Sequence, residues 1–541
     1  MRVAFMGTEP LTPIPCVLFE DEDLLVVCKP AGVNTHAPSP HAGEGIYEWL
    51  RHREPRWARL AIIHRLDKDT SGVMVFAKSR KANRSLTGQF TKRMARKKYV
   101  LVTDRKTSVC ELTVESDLVR AGDKYRSQAG AVSGNHAVTQ FKRIGVEEGR
   151  ISFEATPLTG RTHQIRVQAA ENGFTILGDT LYGGTPASRL YLHAQELSFE
   201  HPTTGENARF QAPPQFEMEA WAGLRAAFVD SATTDAHRLI HGASDGFPGL
   251  YVDLLGQYLL AQSDRPLSGP QLKVIESIVR LRRLRGAYFK LLHRHVRQVG
   301  TAQASPEKIL GEPAPEEFEI RENGLRFALR FGEGYSVGLF LDQRDNRRRF
   351  LTGHVAADFP LAGMGSEQAG VLNLFAYTCG FSVAAAAARA HVTSVDLSAK
   401  YLDWGRRNFQ INGIDSAAHE FLSGDVFDWL KRLRKKQRSY DVVVLDPPTF
   451  STSKASGTFR VERDFARLTR TALELLKPGG VLLACANTAR LDAETFLAAV
   501  EGATLACGRR VRQRHYAPQP PDFPISKMEP AYLKTVWMRI D

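Results

Sequence analysis

One short segment, residues 64–72, combines residue types that favour catalysis. It reads His-Arg-Leu-Asp-Lys-Asp-Thr-Ser-Gly. We expect a turn between a strand ending at Ile63 and a strand beginning at Val73, because apolar, β-favouring residues lie on both sides. A carboxylate on such a turn is held by rigid elements and can be presented to a substrate. Asp67 is therefore a candidate catalytic carboxylate.

A second group of candidates follows the strands of an alternating strand–helix pattern. The apolar run Val371–Phe375 leads into the turn Ala376–Gly380, and the next predicted strand, Val392–Val395, ends in Asp396. In doubly wound folds, an acid at the tip of the second strand, about 20 residues after the first turn, holds ribose hydroxyls. The spacing from Asn373 to Asp396 therefore predicts a nucleotide-type cofactor. This spacing suits NAD as well as S-adenosylmethionine.

Three observations favour S-adenosylmethionine over NAD. The first turn contains only Gly380, so it lacks the three-glycine fingerprint that lets a pyrophosphate sit on the helix. Asp425 follows the expected third strand, a position suited to contacting adenine. Asp446-Pro447-Pro448 follows the fourth strand, where a carboxylate and a prolyl carbonyl face the cofactor crevice. Asp446 is thus expected beside the transferred methyl group.

These candidates need a scaffold of several domains, as the chain length of 541 residues also indicates. The Pro-rich segment 211–214 has a linker composition, and strands alternate with helices after residue 371. Helices are predicted over 271–283 and 382–390, and a hairpin over 322–331. The sequence predicts a multidomain α+β and α/β protein. Its expected domains are a mixed antiparallel-sheet domain (1–212), a linker with a small α/β domain (213–320), and a Rossmann-like doubly wound domain (321–541).

The composition favours a polyanionic partner. Lys and Arg number 72 against 59 acidic residues, which gives a formal net charge of +13. Nine basic residues and no acid lie between Lys78 and Lys98, directly after the candidate loop, which predicts RNA binding there. The six cysteines show no paired spacing, which argues against a zinc ribbon or a disulfide framework. No stretch approaches a membrane span, and residues 1–10 lack an uninterrupted apolar run. A cytoplasmic protein without membrane or metal partners is expected.

Residues 64–72 resemble the catalytic loop of the RluA-type pseudouridine synthases, in which His-Arg-Leu-Asp is followed by two variable residues and Thr-Ser-Gly. Further segments match the family in order: Leu24–Gly32, Lys97–Val100, Leu158–Arg166, Gly178-Asp179 and Tyr182-Gly183. The resemblance implies that Asp67 attacks the ribose or acts as the base that starts elimination. It implies that Tyr99 stacks on the uracil and can take the final ring proton. Arg166 would hold Asp67 in its charged form through two hydrogen bonds. No metal or cofactor is implied for this half.

The chain from about Arg238 onward resembles the class I methyltransferases of the RlmI/RlmK type, which modify large-subunit ribosomal RNA. The matching segments are Gly338–Arg344, Asn373–Cys379, Thr393–Ser398 and Asp446–Ser451, and the last three are closest to the RlmK-type N7-guanine enzymes. The resemblance implies S-adenosylmethionine contacts from Phe340, Asp342, Asn373, Phe375, Tyr377, Asp396, Leu397, Asp425 and Asp446. It also implies that the segment 238–252 belongs to an RNA-docking module.

The same resemblance concerns the methylated atom. Enzymes that methylate carbon 5 of a pyrimidine first add a cysteine thiolate to the neighbouring carbon. In the cytosine-modifying relatives this cysteine follows the strand after the Pro-Gly-Gly turn. Here Asn487 occupies that position, as in the RlmK-type enzymes, and Cys485 lies two residues earlier. N7-guanine methylation is therefore predicted, with Cys485 a buried structural residue.

Alternatives remain open for the second half. The chain could be a bifunctional RNA-modifying enzyme, or a pseudouridine synthase whose methyltransferase-like half only binds RNA. Many methyltransferases have an acid at the position of Asn373, which would suit the second possibility, but the RlmI/RlmK-type enzymes that this half resembles tolerate Asn there. The presence of Asp396, Asp425 and Asp446 favours the first. A 5-methylcytosine-forming enzyme is the alternative for the methylated atom.

Overall fold

The computed structural model describes residues 14–128, 134–292, 304–334, 336–361, 363–365, 368–453 and 457–541. They divide into two compact units. The first unit contains the described residues up to Pro38, Glu44–Trp49 and Arg59–Asp230, and the second contains Ser39–Gly43, Leu50–Ala58 and Ser231–Asp541. Residues 1–10, which entered the prediction of a cytoplasmic protein, lie outside the described residues. The three-segment division at 212 and 320 stays a prediction.

The first unit is built on a large sheet of mainly antiparallel strands. Its elements are β1 (Val17–Glu20), β2 (Leu24–Lys29), α1 (Ile46–Arg53, shared with the second unit), β3 (Ala61–Ile62), β4 (Ser71–Ala77), α2 (Arg80–Thr91), β5 (Arg96–Thr103), β6 (Glu111–Ala121), β7 (Lys124–Gln128), β8 (His136–Glu147), β9 (Arg150–Pro157), α3 (Gln164–Glu171), β10 (Leu192–Glu200), β11 (Asn207–Gln211) and α4 (Ala220–Phe228). The strand order is β1-β2-β4-β10-β5-β9-β8-β6-β7, with β3 beside β4 and β11 beside β10. β4 and β10 run parallel, whereas their other neighbours pair antiparallel. The expected mixed antiparallel sheet is confirmed.

The close pairing of β4 with β10 fixes the loop that carries Asp67. β4 is buried along its whole length and begins at Ser71, two residues earlier than expected. Gly72 has a φ of 128°, and a Cβ there would lie 2.3 Å from the carbonyl oxygen of Ala194 on β10. Glycine therefore allows the two strands to approach. The Ser71 hydroxyl also lies 2.8 Å from Nδ1 of His193 on β10.

The second unit begins with a five-stranded sheet. Its elements are β12 (Ala236–His241), β13 (Leu250–Leu255), β14 (Tyr258–Ser263), α5 (Gly269–Arg282), β15 (Gly286–Leu291) and β16 (Glu307–Gly311). The strands pair in chain order. Only the β14–β15 pairing, across α5, is parallel among the described strands of this sheet. One apolar core joins this sheet to the following fold, because Leu255 and Tyr258 belong to the same buried cluster as Phe350 and Trp537.

The remainder of the second unit is a doubly wound sheet. Its elements are β17 (Phe318–Glu322), β18 (Leu325–Leu329), α6 (Arg344–Thr352), β19 (His354–Ala356), β20 (Phe359–Pro360), β21 (Gly370–Leu374), α7 (Gly380–Ala387), β22 (His391–Asp396), α8 (Ala399–Ile411), β23 (Glu420–Ser423), α9 (Val426–Lys435), β24 (Tyr440–Leu445), β25 (Phe450–Ser453), β26 (Gly457–Arg460), α10 (Val461–Leu473), β27 (Leu476–Asn487), α11 (Ala493–Ala506), β28 (Val511–Tyr516) and β29 (Leu533–Ile540). The order is β23-β22-β21-β24-β27-β29-β28, with the first five strands parallel and β29 antiparallel to both neighbours. The strand order reverses between β21 and β24, where such folds bind ligands.

The predicted Rossmann-like class is confirmed, but several element bounds shift. α5 starts two residues before the predicted helix 271–283, with Ser268 as a side-chain cap. α7 spans Gly380–Ala387 and not 382–390, because the helix starts directly at the turn and Ala388 ends it. The hairpin expected over 322–331 is formed by β17 and β18, which start earlier, at Phe318. In the part of the chain that the structure describes, no helix combines the length and apolar character that a membrane crossing needs.

Candidate active sites

The first unit contains a broad cavity of about 1090 Å³ around Asp67. The loop between β3 and β4 supplies Asp67, β5 supplies Tyr99, and α3 supplies Arg166. The structure thus brings together the three residues that the sequence predicted for this site. Asp67 keeps 28% of its side chain exposed, so a substrate can reach its carboxylate.

The contacts of Arg166 differ from those expected. Its Nε and Nη2 donate to the two carboxylate oxygens of Asp179, at 2.8 and 2.7 Å. Its remaining nitrogen, Nη1, lies 4.0 Å from Oδ2 of Asp67. Arg166 therefore forms its two hydrogen bonds with Asp179, which precedes the short turn Thr180–Tyr182. With Asp67 it forms one longer ionic contact. Because Asp179 fixes the guanidinium, Asp67 stays available to a substrate.

Two further aromatic side chains, not among the predicted site residues, complete the surroundings of Asp67. Nε2 of His163 lies 3.9 Å from Oδ2 of Asp67, and Nδ1 of His163 lies 2.8 Å from the Tyr182 hydroxyl. The guanidinium of Arg166 stacks 5.2 Å above the Tyr182 ring. Both residues lie in segments that matched the resemblance, but nothing in their spacing distinguished them from their neighbours.

Tyr99 is buried beside Asp67. Burial raises the pKa of its phenol well above the usual range, and the negative charge of Asp67 raises it further. The phenol therefore stays protonated at neutral pH. A protonated phenol can stack on a base, but it must lose its own proton before it can act as the base that takes the ring proton.

Cations surround this cavity. Exposed basic residues from three segments line it: Arg65, Arg93, Arg96 and Arg161, with the half-buried Lys97 beside them. Three of these belong to the basic run predicted to bind RNA. Phosphate groups bind such cations irrespective of base sequence.

We expect Asp179→Ala to lower stability strongly, because it leaves the buried guanidinium of Arg166 without its two-bond partner. Removing one member of a buried pair costs roughly 3–5 kcal/mol. Urea unfolding of wild type and variant measures the difference. Glu154→Gln is the matched control, because it removes a more exposed carboxylate that pairs with Lys98 at 3.1 Å and should cost at most about 1 kcal/mol. Equal losses in the two variants would contradict a structural role for the Arg166–Asp179 pair.

The second unit contains a cavity of about 490 Å³ at the carboxyl ends of the five parallel strands, called the cofactor cavity below. The residues predicted for cofactor binding that line it are Phe340, Asp342, Phe375, Tyr377, Asp396, Leu397, Asp425 and Asp446. Asn373 does not line it. Asn373 is 1% exposed and lies inside β21, before the turn that borders the cavity, where its Nδ2 donates to the Ser382 hydroxyl at 2.9 Å.

The turn after β21 has an unusual backbone. Phe375, Tyr377 and Cys379 have φ values of 60°, 48° and 64°, which non-glycine residues rarely adopt. Asp396 stabilises this turn, because its Oδ2 accepts a hydrogen bond from the Tyr377 amide at 2.8 Å. Its other oxygen accepts from the Ser398 amide at 2.9 Å. Burial raises the pKa of this carboxyl, although these bonds oppose the shift.

Two carboxyl groups face the cavity near one guanidinium. Burial, with a further contribution from the charge of Asp342, raises the pKa of Asp446 to about 7, although Arg347 and a hydrogen bond from Gln343 oppose the shift. Burial also raises the pKa of Asp342. Arg347 is held by two bonds to Glu322, at 2.6 and 2.7 Å. Sequence reasoning missed Arg347 because it is one of four arginines in α6, a run typical of an exposed helix.

The residues of this cavity fit S-adenosylmethionine. The Asp396 carboxylate lies at the tip of the second strand, where doubly wound folds hold a ribose. Phe375, Phe427 and Phe459 provide apolar surface. Asp425 also lines the cavity, but its Oδ1 caps α9 by accepting from the amides of Phe427 and Asp428. Asp396 and Asp425 both line the cavity, and the ribose contact of Asp396 and the adenine contact of Asp425 stay predictions.

Two residues near the end of β27, Asn487 and Cys485, differ in their access to the cofactor cavity. Asn487 lines the cofactor cavity, whereas Cys485 is completely buried, with its sulfur accepting from the Thr535 hydroxyl at 3.9 Å. Burial raises the pKa of the Cys485 thiol far above its usual value, and the charge of Asp446 raises it further. The thiol is therefore protonated and a poor nucleophile.

Comparisons with known proteins agree with this division of the chain. Residues 23–171 match the family model of the RNA pseudouridylate synthases. Residues 277–539 match that of the S-adenosylmethionine-dependent methyltransferases. A ribosomal RNA large subunit methyltransferase from Deinococcus radiodurans is 34% identical over 343 residues, which are 63% of this chain and 81% of the relative. The ribosomal RNA large subunit methyltransferase I from Aeromonas hydrophila is 31% identical over 71% of this chain and 92% of the relative.

A solved structure supports the fold of the second unit. The crystal structure of SMU.776, assigned as a methyltransferase and complexed with SAH, is 27% identical with a TM-score of 0.51. The match covers 63% of this chain and 87% of that one. Sequence relatives, family models and fold agree: the chain belongs to the family of the ribosomal RNA large subunit methyltransferases and carries an RNA pseudouridylate synthase domain on its N-terminal side.

Proposed function

We propose that this chain modifies large-subunit ribosomal RNA in two ways. Its first unit isomerises uridine to pseudouridine, and its second unit methylates the N7 atom of a guanine with S-adenosylmethionine. The relatives' names support ribosomal RNA as the substrate. Separate cavities, each with its own carboxylates, support two reactions and argue against a half that only binds RNA.

The proposed pseudouridylation depends on Asp67. The reaction breaks the uracil–ribose bond, turns the base over and rejoins it through carbon. Asp67 acts as nucleophile at the ribose or as the base that starts elimination. Arg166 stabilises its charge from 4.0 Å, and the protonated Tyr99 supports the detached uracil by stacking. The cations of the cavity bind the flanking phosphates.

The proposed methyl transfer depends on the acids of the cofactor cavity. S-adenosylmethionine, when bound, supplies a methyl group on a positively charged sulfur. Guanine N7 carries an in-plane lone pair and no proton, so the chain need not supply a base for the attack. The guanine becomes positively charged on methylation. Asp342 and Asp446 stabilise that charge, since a low-dielectric site strengthens such interactions.

The observation that carries the N7 assignment is the position of Asn487. Carbon 5 of a pyrimidine needs a thiolate on the neighbouring carbon before it attacks a methyl group. The cavity has Asn487 at the end of β27, and Cys485 is buried with a raised pKa. A nitrogen with its own lone pair needs no such thiolate.

We expect Cys485→Ala to leave methylation within about threefold of wild type, because the thiol takes no part in the reaction. The assay incubates the protein with labelled S-adenosylmethionine and large-subunit ribosomal RNA from a strain that lacks it. Nucleoside chromatography then identifies the product, expected to be N7-methylguanosine. Cys507→Ala is the control cysteine variant, because Cys507 is not among the residues that line the cofactor cavity. Formation of 5-methylcytidine, or loss of activity only in Cys485→Ala, would contradict the assignment.

A further inference from the structure

A second cavity adjoins the cofactor cavity within the second unit. It has a volume of about 430 Å³ and shares Phe340, Asp342 and Asn487 with the cofactor cavity. Its other walls come from the five-stranded sheet, from the segment around Phe340 and from the segment before β29. We call it the sheet-side cavity. Its size is in the range of small-ligand sites, and the reaction proposed above does not yet use it.

Aromatic rings form part of the walls of the sheet-side cavity, and contacts with Arg238 fix two of them in position. The guanidinium of Arg238 stacks 4.6 Å from the Phe523 ring and 5.4 Å from the Tyr251 ring. Arg238 is also bonded to the buried carboxylate of Asp253. Tyr532 lies in the same wall. Flat, rigid walls of this kind suit a planar heterocycle.

Polar groups with spare hydrogen-bonding capacity face the sheet-side cavity. The carboxamides of Gln262 and Asn487 line it, and neither has a hydrogen-bond partner among the described side chains and backbone groups. Glu529 accepts from the Tyr251 hydroxyl at 3.0 Å and from the Ala243 amide at 2.9 Å. Each carboxylate oxygen can accept a further bond. Gln262 is the direct cross-strand neighbour of Tyr251, the residue whose hydroxyl contacts Glu529, so both side chains border Tyr251.

We propose that the sheet-side cavity holds the target guanine after it has left the RNA helix. The Watson–Crick edge faces Glu529 and Gln262, whose oxygens accept from N1–H and the 2-amino group. The opposite edge, which carries N7, points toward Asn487 and the cofactor cavity. Binding by these groups would select guanine over adenine, because adenine has no donor at N1. This inference depends on the proposed function.

The test compares Gln262→Ala and Glu529→Gln with wild type on large-subunit ribosomal RNA from a strain that lacks the protein. We expect kcat/KM for RNA methylation to fall by about 10- to 100-fold in each variant, the loss expected for hydrogen bonds that read a base edge. Affinity for S-adenosylhomocysteine, measured by calorimetry, and pseudouridine formation should stay within about twofold of wild type. Glu312→Gln, an exposed glutamate 65% accessible in the same unit, is the control.

The outcomes separate the two proposals. Wild-type formation of N7-methylguanosine, with selective loss of RNA methylation in both variants, supports the assignment. If wild type forms N7-methylguanosine and Gln262→Ala has the same kcat/KM for RNA methylation, the guanine site is overturned and the proposed function stands. The Gln262 side chain has no hydrogen-bond partner among the described residues, so Gln262→Ala should fold normally. Unchanged affinity for S-adenosylhomocysteine verifies the fold of this variant, and the test stands even if Glu529→Gln unfolds. Absence of N7-methylguanosine from wild-type reactions overturns both.

Discussion

Replacing Asp67 by asparagine is expected to abolish pseudouridine formation, with a rate loss of roughly 10⁴-fold or more, as when a catalytic nucleophile is removed. The amide has nearly the same shape but no charge, so it can neither attack the ribose nor accept a proton at the start of elimination. The positions of Arg166 and Asp179 are expected to persist, because their two bonds do not involve Asp67. Tritium release from labelled uridine in the RNA measures the rate.

The neighbouring acid Asp69 provides the matched control for this variant. It lies in the same loop, is exposed, and does not line the cavity. Asp69→Asn should therefore retain activity within about threefold, as expected of a surface substitution. RNA binding and methyl transfer should be nearly unchanged in both variants. Comparable isomerisation by Asp67→Asn and wild type would contradict the role of Asp67.

The second large effect is expected from the acids of the cofactor cavity, which should separate binding from turnover. Asp396→Ala should weaken S-adenosylmethionine binding by about 10- to 100-fold, because it removes charge-assisted hydrogen bonds to the ribose and frees the Tyr377 amide. Asp446→Ala should lower kcat by about 100- to 1000-fold, because it removes a charge that stabilises the methylated base. Calorimetry and single-turnover methylation measure the two effects. Equal losses of cofactor affinity in both variants would contradict this division.

The pKa of Asp446 predicts that methylation turnover depends on pH. Because this pKa is raised to about 7, the carboxylate form increases as the pH rises through 7. Turnover for methylation should therefore rise between about pH 6 and pH 8, and Asp446→Asn should remove this rise. Asp403→Ala, an exposed acid on α8 that pairs with Arg406, should keep the wild-type profile. A rise that persists in Asp446→Asn would assign it to another group.

The fold class could be predicted because local patterns agreed with tertiary structure. The apolar run before Asp446 became β24, since buried parallel strands are rich in apolar residues, and the β-branched segment before Asp396 became β22. The turn after β21 was predicted at Ala376–Gly380, but its backbone conformation could not be predicted. Three non-glycine residues there have positive φ, and the hydrogen bond that stabilises the turn joins the Tyr377 amide to Asp396, 19 residues further along the chain. The bounds of α7 shifted for the same reason, because this turn determines where the helix begins.

The candidate sites could be predicted where a residue type alone indicates the chemistry, as for Asp67, Asp396 and Asp446. Ion pairs and hydrogen bonds between residues that are distant in the sequence could not be predicted. The partner of Arg166 is Asp179, which lies 13 residues further along the chain; Gly178-Asp179 was among the matching segments, but nothing in the sequence paired it with Arg166. The burial of Arg347 depends on Glu322 in β17, which no local pattern connects to α6. Asn373 matched a cofactor motif, but its position inside the strand directs it to Ser382.

The most direct test of the bifunctional assignment maps modified nucleotides on large-subunit ribosomal RNA from a strain that lacks the gene. We expect one or more pseudouridines and an N7-methylguanosine to disappear, and the wild-type gene to restore both. Asp67→Asn should restore only the methyl mark, and Asp446→Ala should restore only the pseudouridine. A deletion strain that keeps every N7-methylguanosine, or an Asp446→Ala strain that regains it, would contradict a methyltransferase active at this position.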